Sequence, residues 1–233
     1  MAATAAVSDR GRTATGSVRL TMPPDVGTLL LADAVGRFVE RHPSIRLEVS
    51  LSNRKEDLIA EGFDLALRVG PLADSSMVSR KVATISGLAV AAPSYAARRG
   101  LPSTPGELGE HTCVLFRRGP MTAVWDLVGP DGLIEAPVRG AIEVDDMAFA
   151  YRAAVAGAGL TMLPSFIALP AIERGELVRV LPAHRFPPVN MFLVMPSSRL
   201  PAARVVAVRD FLIEELSRRP GDGAPSPARR RRR

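Results

Sequence analysis

Residues 17–69 alternate strand and helix patterns, and that order restricts the fold more than any other feature of the chain. Residues 17–21 read as a strand with Val18 and Leu20 on one face. Residues 29–41 carry Leu31, Ala34, Val35 and Phe38 at helical spacing, and His42-Pro43 ends the helix. Ile45, Leu47, Val49 and Leu51 alternate with Arg46, Glu48 and Ser50 as a second strand. Residues 54–61 are predicted as a short helix stopped by Gly62, and residues 63–69 as a third strand. Strands separated by helices form a parallel sheet with right-handed crossovers.

The same signature returns at residues 144–164. Asp145 and Asp146 offer side-chain oxygens to the free amides of a helix's first turn. Gly157 and Gly159 bracket the helix exit, and the apolar run 160–163 is closed by Pro164. A free helix start between strands suits a small polar or anionic ligand, although two carboxylates at that end oppose an anion. Between these segments lie strands at 78–82, 88–92 and 112–116, a short helix at 94–99, and a turn at 104–108. A hairpin follows at 125–136, about Gly129-Pro130-Asp131-Gly132. A helix at 165–174, strands at 177–181 and 190–195, and a helix at 202–216 complete the chain.

The pattern is α/β with two lobes. Lobe I covers about 16–86 plus 189–217 and lobe II about 87–188, with crossing segments near 84–88 and 184–190. Ligands of open α/β sheets bind beyond the carboxyl ends of the strands, and here two such edges would face each other across a cleft.

Composition narrows the setting. With 47% hydrophobic residues the chain can fill real cores, yet no apolar run is long enough to span a bilayer. The first residues lack the apolar stretch of a secretory signal, and Cys113 stands alone, which excludes an internal disulfide. Both features point to the cytoplasm. The formal charge of +6 is carried by the end of the chain, where seven arginines and one aspartate follow residue 217. The body therefore has no global basic footprint for nucleic acid. Residues 1–15 are read as a disordered arm and 218–233 as a disordered tail able to hold polyanions without specificity. His42, His111 and His184 are too scattered for a metal site, and no nucleophile elbow or dinucleotide fingerprint occurs. No catalytic residue, metal or cofactor is assigned, and the chain is not read as an enzyme.

Several segments, in this order, resemble one family. They are Gly16-Ser-Val-Arg-Leu-Thr-Met-Pro-Pro-Asp-Val-Gly, Phe38-Val-Glu-Arg-His-Pro-Ser-Ile-Arg-Leu-Glu-Val, Asp57-Leu-Ile-Ala-Glu-Gly-Phe-Asp-Leu-Ala-Leu-Arg-Val-Gly, Val90-Ala-Ala-Pro-Ser-Tyr and Ala156-Gly-Ala-Gly-Leu-Thr-Met-Leu-Pro. Over about residues 16–216 the chain resembles the effector-binding domain of LysR-type transcriptional regulators. The resemblance implies a periplasmic-binding-protein-like fold of type 2, with two Rossmann-like lobes joined by two crossover strands. It also implies a small metabolite, often an aromatic or carboxylate compound, bound in the cleft, and antiparallel pairing into a homodimer. Leu30 and Val39, outside the main helical stripe, are the apolar residues expected at that pairing. Residues 1–15 are too few for the family's helix-turn-helix, so the DNA-reading head is expected to be missing here. A solute-binding protein that delivers a small molecule to a transporter is the alternative on the same fold.

The expected ligand contacts follow from the strand ends. Thr21, Met22 and Pro23 match the loop after the first strand; the plainer alternative is an ordinary turn. Arg68 and Gly70 close the third strand, and Arg68 can clamp a carboxylate with both nitrogens or pair locally with Asp64. From lobe II come Asp146 and Met147 at the helix start, with Met162, Pro164 and Phe116 as apolar walls.

Overall fold

A computed structural model describes residues 14–54, 57–72, 77–117, 124–197 and 200–218. Most of the arm and the arginine-rich tail expected at the two ends lie outside these described residues. In chain order the elements are β1 (Gly16–Met22), a π-helical segment (Val26–Leu31), α1 (Ala32–Arg41), β2 (Ile45–Leu51), β3 (Leu65–Val69) and β4 (Met77–Ala91). Then come α2 (Pro93–Arg99), a 3-10 helix (Pro105–Glu110), β5 (Thr112–Phe116), β6 (Val124–Gly129), β7 (Gly132–Pro137) and β8 (Arg139–Val144). The chain closes with α3 (Met147–Val155), β9 (Leu160–Pro164), α4 (Ser165–Glu173), β10 (Val178–Arg179), β11 (Phe186–Pro196) and α5 (Ala203–Ser217).

Nine strands form one mixed sheet in the order β2-β1-β3-β11-β4-β9-β5-β8, with β10 added beside β4. Two parallel sets, β2-β1-β3 and β9-β5-β8, sit at its two ends. The strands that join them, β4 and β11, run antiparallel to each other. β4 pairs with β11 over its length up to Gly87 and with β9 from Gly87 onward, so one strand belongs to both lobes. The two extended pieces expected at 78–82 and 88–92 are thus a single strand. At the junction side chains fill the space over Gly87: a Cβ there would stand 2.9 Å from Met162 Sδ and 3.1 Å from Phe186 Cβ.

Lobe I buries Val18, Leu20, Leu65, Leu67, Met191 and Leu193 of its sheet against Phe38 of α1 and Val208, Phe211 and Leu212 of α5. The buried carboxylate of Glu215 pins these helices together, 2.5 Å from Arg37 and 3.1 Å from Arg218. In lobe II one face of the sheet packs on α3 and α4 through Val90, Val114, Ala150, Ala154, Leu163 and Ile167. The other face packs on α2 and the β6–β7 hairpin through Tyr95, Cys113, Trp125 and Leu127. Small alanines on α3 let it approach the sheet closely.

Four local readings need correction. The helix expected at 54–61 does not form in its described part, residue 54 and residues 57–61, which holds a bend and turns. Asp57 Oδ1 accepts from the amides of Ile59 and Ala60, and such local capture competes with helix propagation. The helix expected from residue 29 starts earlier, as a π segment. Its wider turn rotates the faces that follow, so Leu30 is buried in the core and Val35 becomes exposed. Leu30 is therefore not available for pairing with a second chain, whereas Val39 is 53% exposed. The strand expected at 177–181 shrinks to β10, because Leu181 turns into the left-handed region at φ 48°. The third strand begins at Leu65 rather than Phe63, since Asp64 is occupied by the Arg19 amide.

Candidate functional site

The chain just past the carboxyl ends of β2 and β8 meets between the lobes, through Asn53 and Asp145. In lobe I, Thr21 is fully buried on β1, beside Ala66 of β3 in register. Arg68 lies two residues further along the same face and is half-buried. Its Nη1 reaches to 3.5 Å from Thr21 Oγ1 and 3.4 Å from the Leu67 carbonyl. The alternative pairing of Arg68 with Asp64 is not what is observed: Asp64 accepts from the backbone amide of Arg19 at 2.9 Å. Gly70 leaves β3 with φ 95°, a conformation that suits glycine, and its amide donates to the Asn190 carbonyl at 2.9 Å. Met22 is buried in the lobe I core, and Pro23 is half-buried at the turn into the π segment.

In lobe II, Asp146 is the cap of α3, with Oδ1 accepting from the Phe149 amide at 2.7 Å. Asp145 stays exposed and pairs with Arg117 at 3.5 Å. The start of α3 is thus already supplied with carboxylate, and it offers little to a free anion. Phe116 pairs in register with Val144 and packs partly against the lobe II core. Met147 and Pro164 are buried. Met162 is half-buried over Gly87 at the lobe junction.

Contacts between the lobes come from residues that the sequence reading missed. Asn53, just past β2, donates its side-chain N–H to the Asp145 carbonyl at 2.9 Å. Phe166 packs against both core clusters, and Leu29 of the π segment packs against that of lobe II. At the crossover Thr84 and Asn190 share a hydrogen bond of 3.3 Å. Asn53 follows the carboxyl end of a parallel strand, and that edge rule was the signal available to find it. Leu29 carried no such signal, because its direction depends on the π turn.

Two observations bear on reactivity. Burial pushes the Cys113 thiol up to about 12, which leaves it a protonated core residue rather than a nucleophile. Among the described residues no group of three or more His, Cys, Asp or Glu side chains is placed to hold a metal ion.

The model of the LysR substrate binding domain matches residues 11–217. The chain belongs to this family. Relatives of this LysR domain include an uncharacterized HTH-type transcriptional regulator of Haemophilus influenzae. It is 36% identical over 79% of this chain and 64% of its own length. An HTH-type transcriptional regulator of Xanthomonas campestris is 34% identical over 87% of this chain and 60% of its own length. The LysR domain thus spans less than two thirds of these relatives. The regulatory domain of CrgA from Neisseria meningitidis superposes with a TM-score of 0.80 at 26% identity, covering 87% of this chain and all of that one. Full-length AphB, a Vibrio cholerae virulence activator, gives 0.77 at 26% identity over 88% of this chain and 70% of its own. The LysR domain described here has the periplasmic-binding-protein-like fold of type 2 that such regulatory domains share. No helix among its described residues is long and apolar enough to cross a membrane.

Proposed function

We propose that this chain is the ligand-sensing part of a LysR-type transcriptional regulator, in which a small metabolite seated between the lobes controls transcription. One observation carries the reading: the carboxyl edges of two parallel strand sets meet, and Asn53 of one lobe bonds to Asp145 of the other. A molecule bound there touches both lobes at once. It therefore shifts the balance between their arrangements by as much as its affinities for them differ.

In this reading Thr21, Met22, Pro23, Arg68 and Gly70 supply the lobe I wall, and Phe116, Asp146, Met147, Met162 and Pro164 the other. Met22 and Met147 contribute through their backbones, since their side chains are buried. Arg68 takes a carboxylate by its guanidinium fork, so the ligand is a small carboxylate with an apolar or aromatic body. The role is regulatory rather than enzymatic, and the protein works in the cytoplasm. DNA reading belongs to a helix-turn-helix, as in the relatives. The domain works as a homodimer. Val35 and Val39 of α1 and Val49 and Leu51 of β2 are exposed on one side of lobe I and support that pairing; sedimentation of the purified chain tests it.

A thermal-shift screen of aromatic and aliphatic carboxylates tests the cleft. At a concentration a hundred times the dissociation constant, a ligand stabilises by about 2.7 kcal/mol. For a chain of this size that raises the Tm by roughly 5–10 °C. Arg68→Ala should abolish the rise. A full panel without any rise at saturating concentrations would count against the reading.

A further inference from the structure

A second concave site lies at the far end of lobe II from the cleft. It opens where β5 and β8 begin, with Thr112 and Arg139 in register, whereas the cleft lies at their other ends, Phe116 and Val144. Its volume is about 380 Å³, in the roughly 300–1,000 Å³ range of small-molecule pockets.

Three features shape it. The first is a bulge on β8, the outermost strand of the sheet. Cys113 pairs with Gly140 and Val114 with Ile142, so Ala141 is an extra residue, and it lines the basin. Bulges at sheet edges bend the strand and re-aim what it carries.

The second is a polar relay. The Thr112 amide donates to the Tyr95 hydroxyl at 3.2 Å, and that hydroxyl lies 3.1 Å from His111 Nδ1. Tyr95 is buried, and its hydroxyl accepts from the backbone while sharing a hydrogen bond with Nδ1. That bond holds the His111 ring in one orientation at the edge of the basin.

The third is charge. Arg99, at the end of α2, and Arg139, at the start of β8, both line the basin. Neither is ion-paired with a described residue. Glu110 is the one carboxylate in the lining.

We propose that this basin binds a small dianion with an oxygen-rich head, a phosphomonoester or a dicarboxylate, gripped by Arg99 and Arg139. Guanidinium forks match the oxygens of either group in pairs. His111, held in place by Tyr95, adds a polar ring to the lining. Glu110 opposes the bound charge and sets an upper limit on affinity. The site is separate from the cleft and gives the domain a second chemical input.

The test is a titration of the full chain at low ionic strength, with inorganic phosphate and separately with succinate, followed by amide shifts in two-dimensional NMR. Saturable shifts are expected at Thr112, Gly140 and Ala141. The dissociation constant should rise at least tenfold in the Arg99→Gln/Arg139→Gln variant and fall about threefold in Glu110→Gln. It should not change in Arg68→Ala, which alters only the cleft. Both basin arginines are exposed, so their replacement leaves the core intact. The probe that saturates at the lower concentration tells phosphate from carboxylate recognition. The proposal is overturned if neither probe gives saturable shifts at these amides, or if the double variant, folded by circular dichroism, binds as well as the parent.

Discussion

Gly159 and Gly36 mark opposite ends of what a single methyl group can do here. A Cβ on Gly159 would stand 2.4 Å from the Thr112 carbonyl oxygen, a backbone atom held between β9 and β8 in the sheet. Nothing there can yield cheaply, so Gly159→Ala should cost about 3 kcal/mol in urea unfolding. Gly36 sits inside α1 with nothing within 4 Å of such a Cβ. Gly36→Ala should instead add about 0.5–1 kcal/mol, through helix propensity and a less disordered unfolded chain. If both variants moved stability in the same direction, this packing of β9 on β5 would be wrong. At this scale legibility was uneven. Asp146 was readable as a cap because an aspartate before a helical run has a local job. The partner of Arg68 was not, because Thr21 lies on another strand, and register cannot be read from either segment alone.

The elements of lobe II are fastened by side chains at their ends. Asp146 caps α3, and Asp146→Ala should lower stability by about 1 kcal/mol, or a Tm loss of roughly 2–4 °C, while Asp146→Asn keeps most of it. At the other end, the Tyr151 hydroxyl of α3 donates to the Glu176 carboxylate beyond α4, and Arg174 binds that carboxylate at 3.0 and 3.1 Å. The Arg174 guanidinium first, and the Tyr151 hydroxyl second, hold Glu176 down at about 2. A carboxylate depressed in the folded state contributes stability above its ordinary value of 4.5 and loses it as pH falls toward about 2. Glu176→Gln should therefore flatten the acid limb of the stability curve between those pH values. An unchanged limb would show the cluster to be idle. Elements with strong periodicity, such as α1, β2 and α5, were visible in the sequence. The failures at 54–61 and 177–181 share a cause. Each depends on one side chain or one residue in a left-handed conformation, and averaging over a window hides both.

For the molecule as a whole, lobes that share β4 cannot separate as beads on a string. Any change in their relative arrangement has to bend or twist two paired strands near Gly87, Thr84 and Asn190. Against that stiffness the Asn53–Asp145 bond is small, about 0.5–1.5 kcal/mol. Asn53→Ala should shift the lobe balance by up to about tenfold, seen as a larger radius of gyration in solution scattering. The weakened closed arrangement should raise the apparent Kd of a cleft ligand in proportion to the closed fraction lost, by no more than that factor. A changed Kd with unchanged scattering would separate a direct contact from a shift in balance. The two-lobed plan and its crossings were legible because alternating elements and an orphan final strand and helix leave few topologies. The packing between the lobes was not, since it depends on Leu29 and Phe166, whose side chains pack on the lobe II core.

The core of lobe I is assembled from two separate stretches, from Val18 to Ile85 and again from Met191 to Leu216. That of lobe II lies between Leu88 and Leu181. A ribosome making this protein from its N-terminus exposes the second core in full while the first still lacks α5 and β11. Lobe II can close on its own contiguous contacts. Lobe I must hold β1, β2 and β3 open until β11 and α5 are made, a long loop closure with its entropic cost. The order of synthesis is thus the reverse of the order of completion, and the sheet is finished where it began.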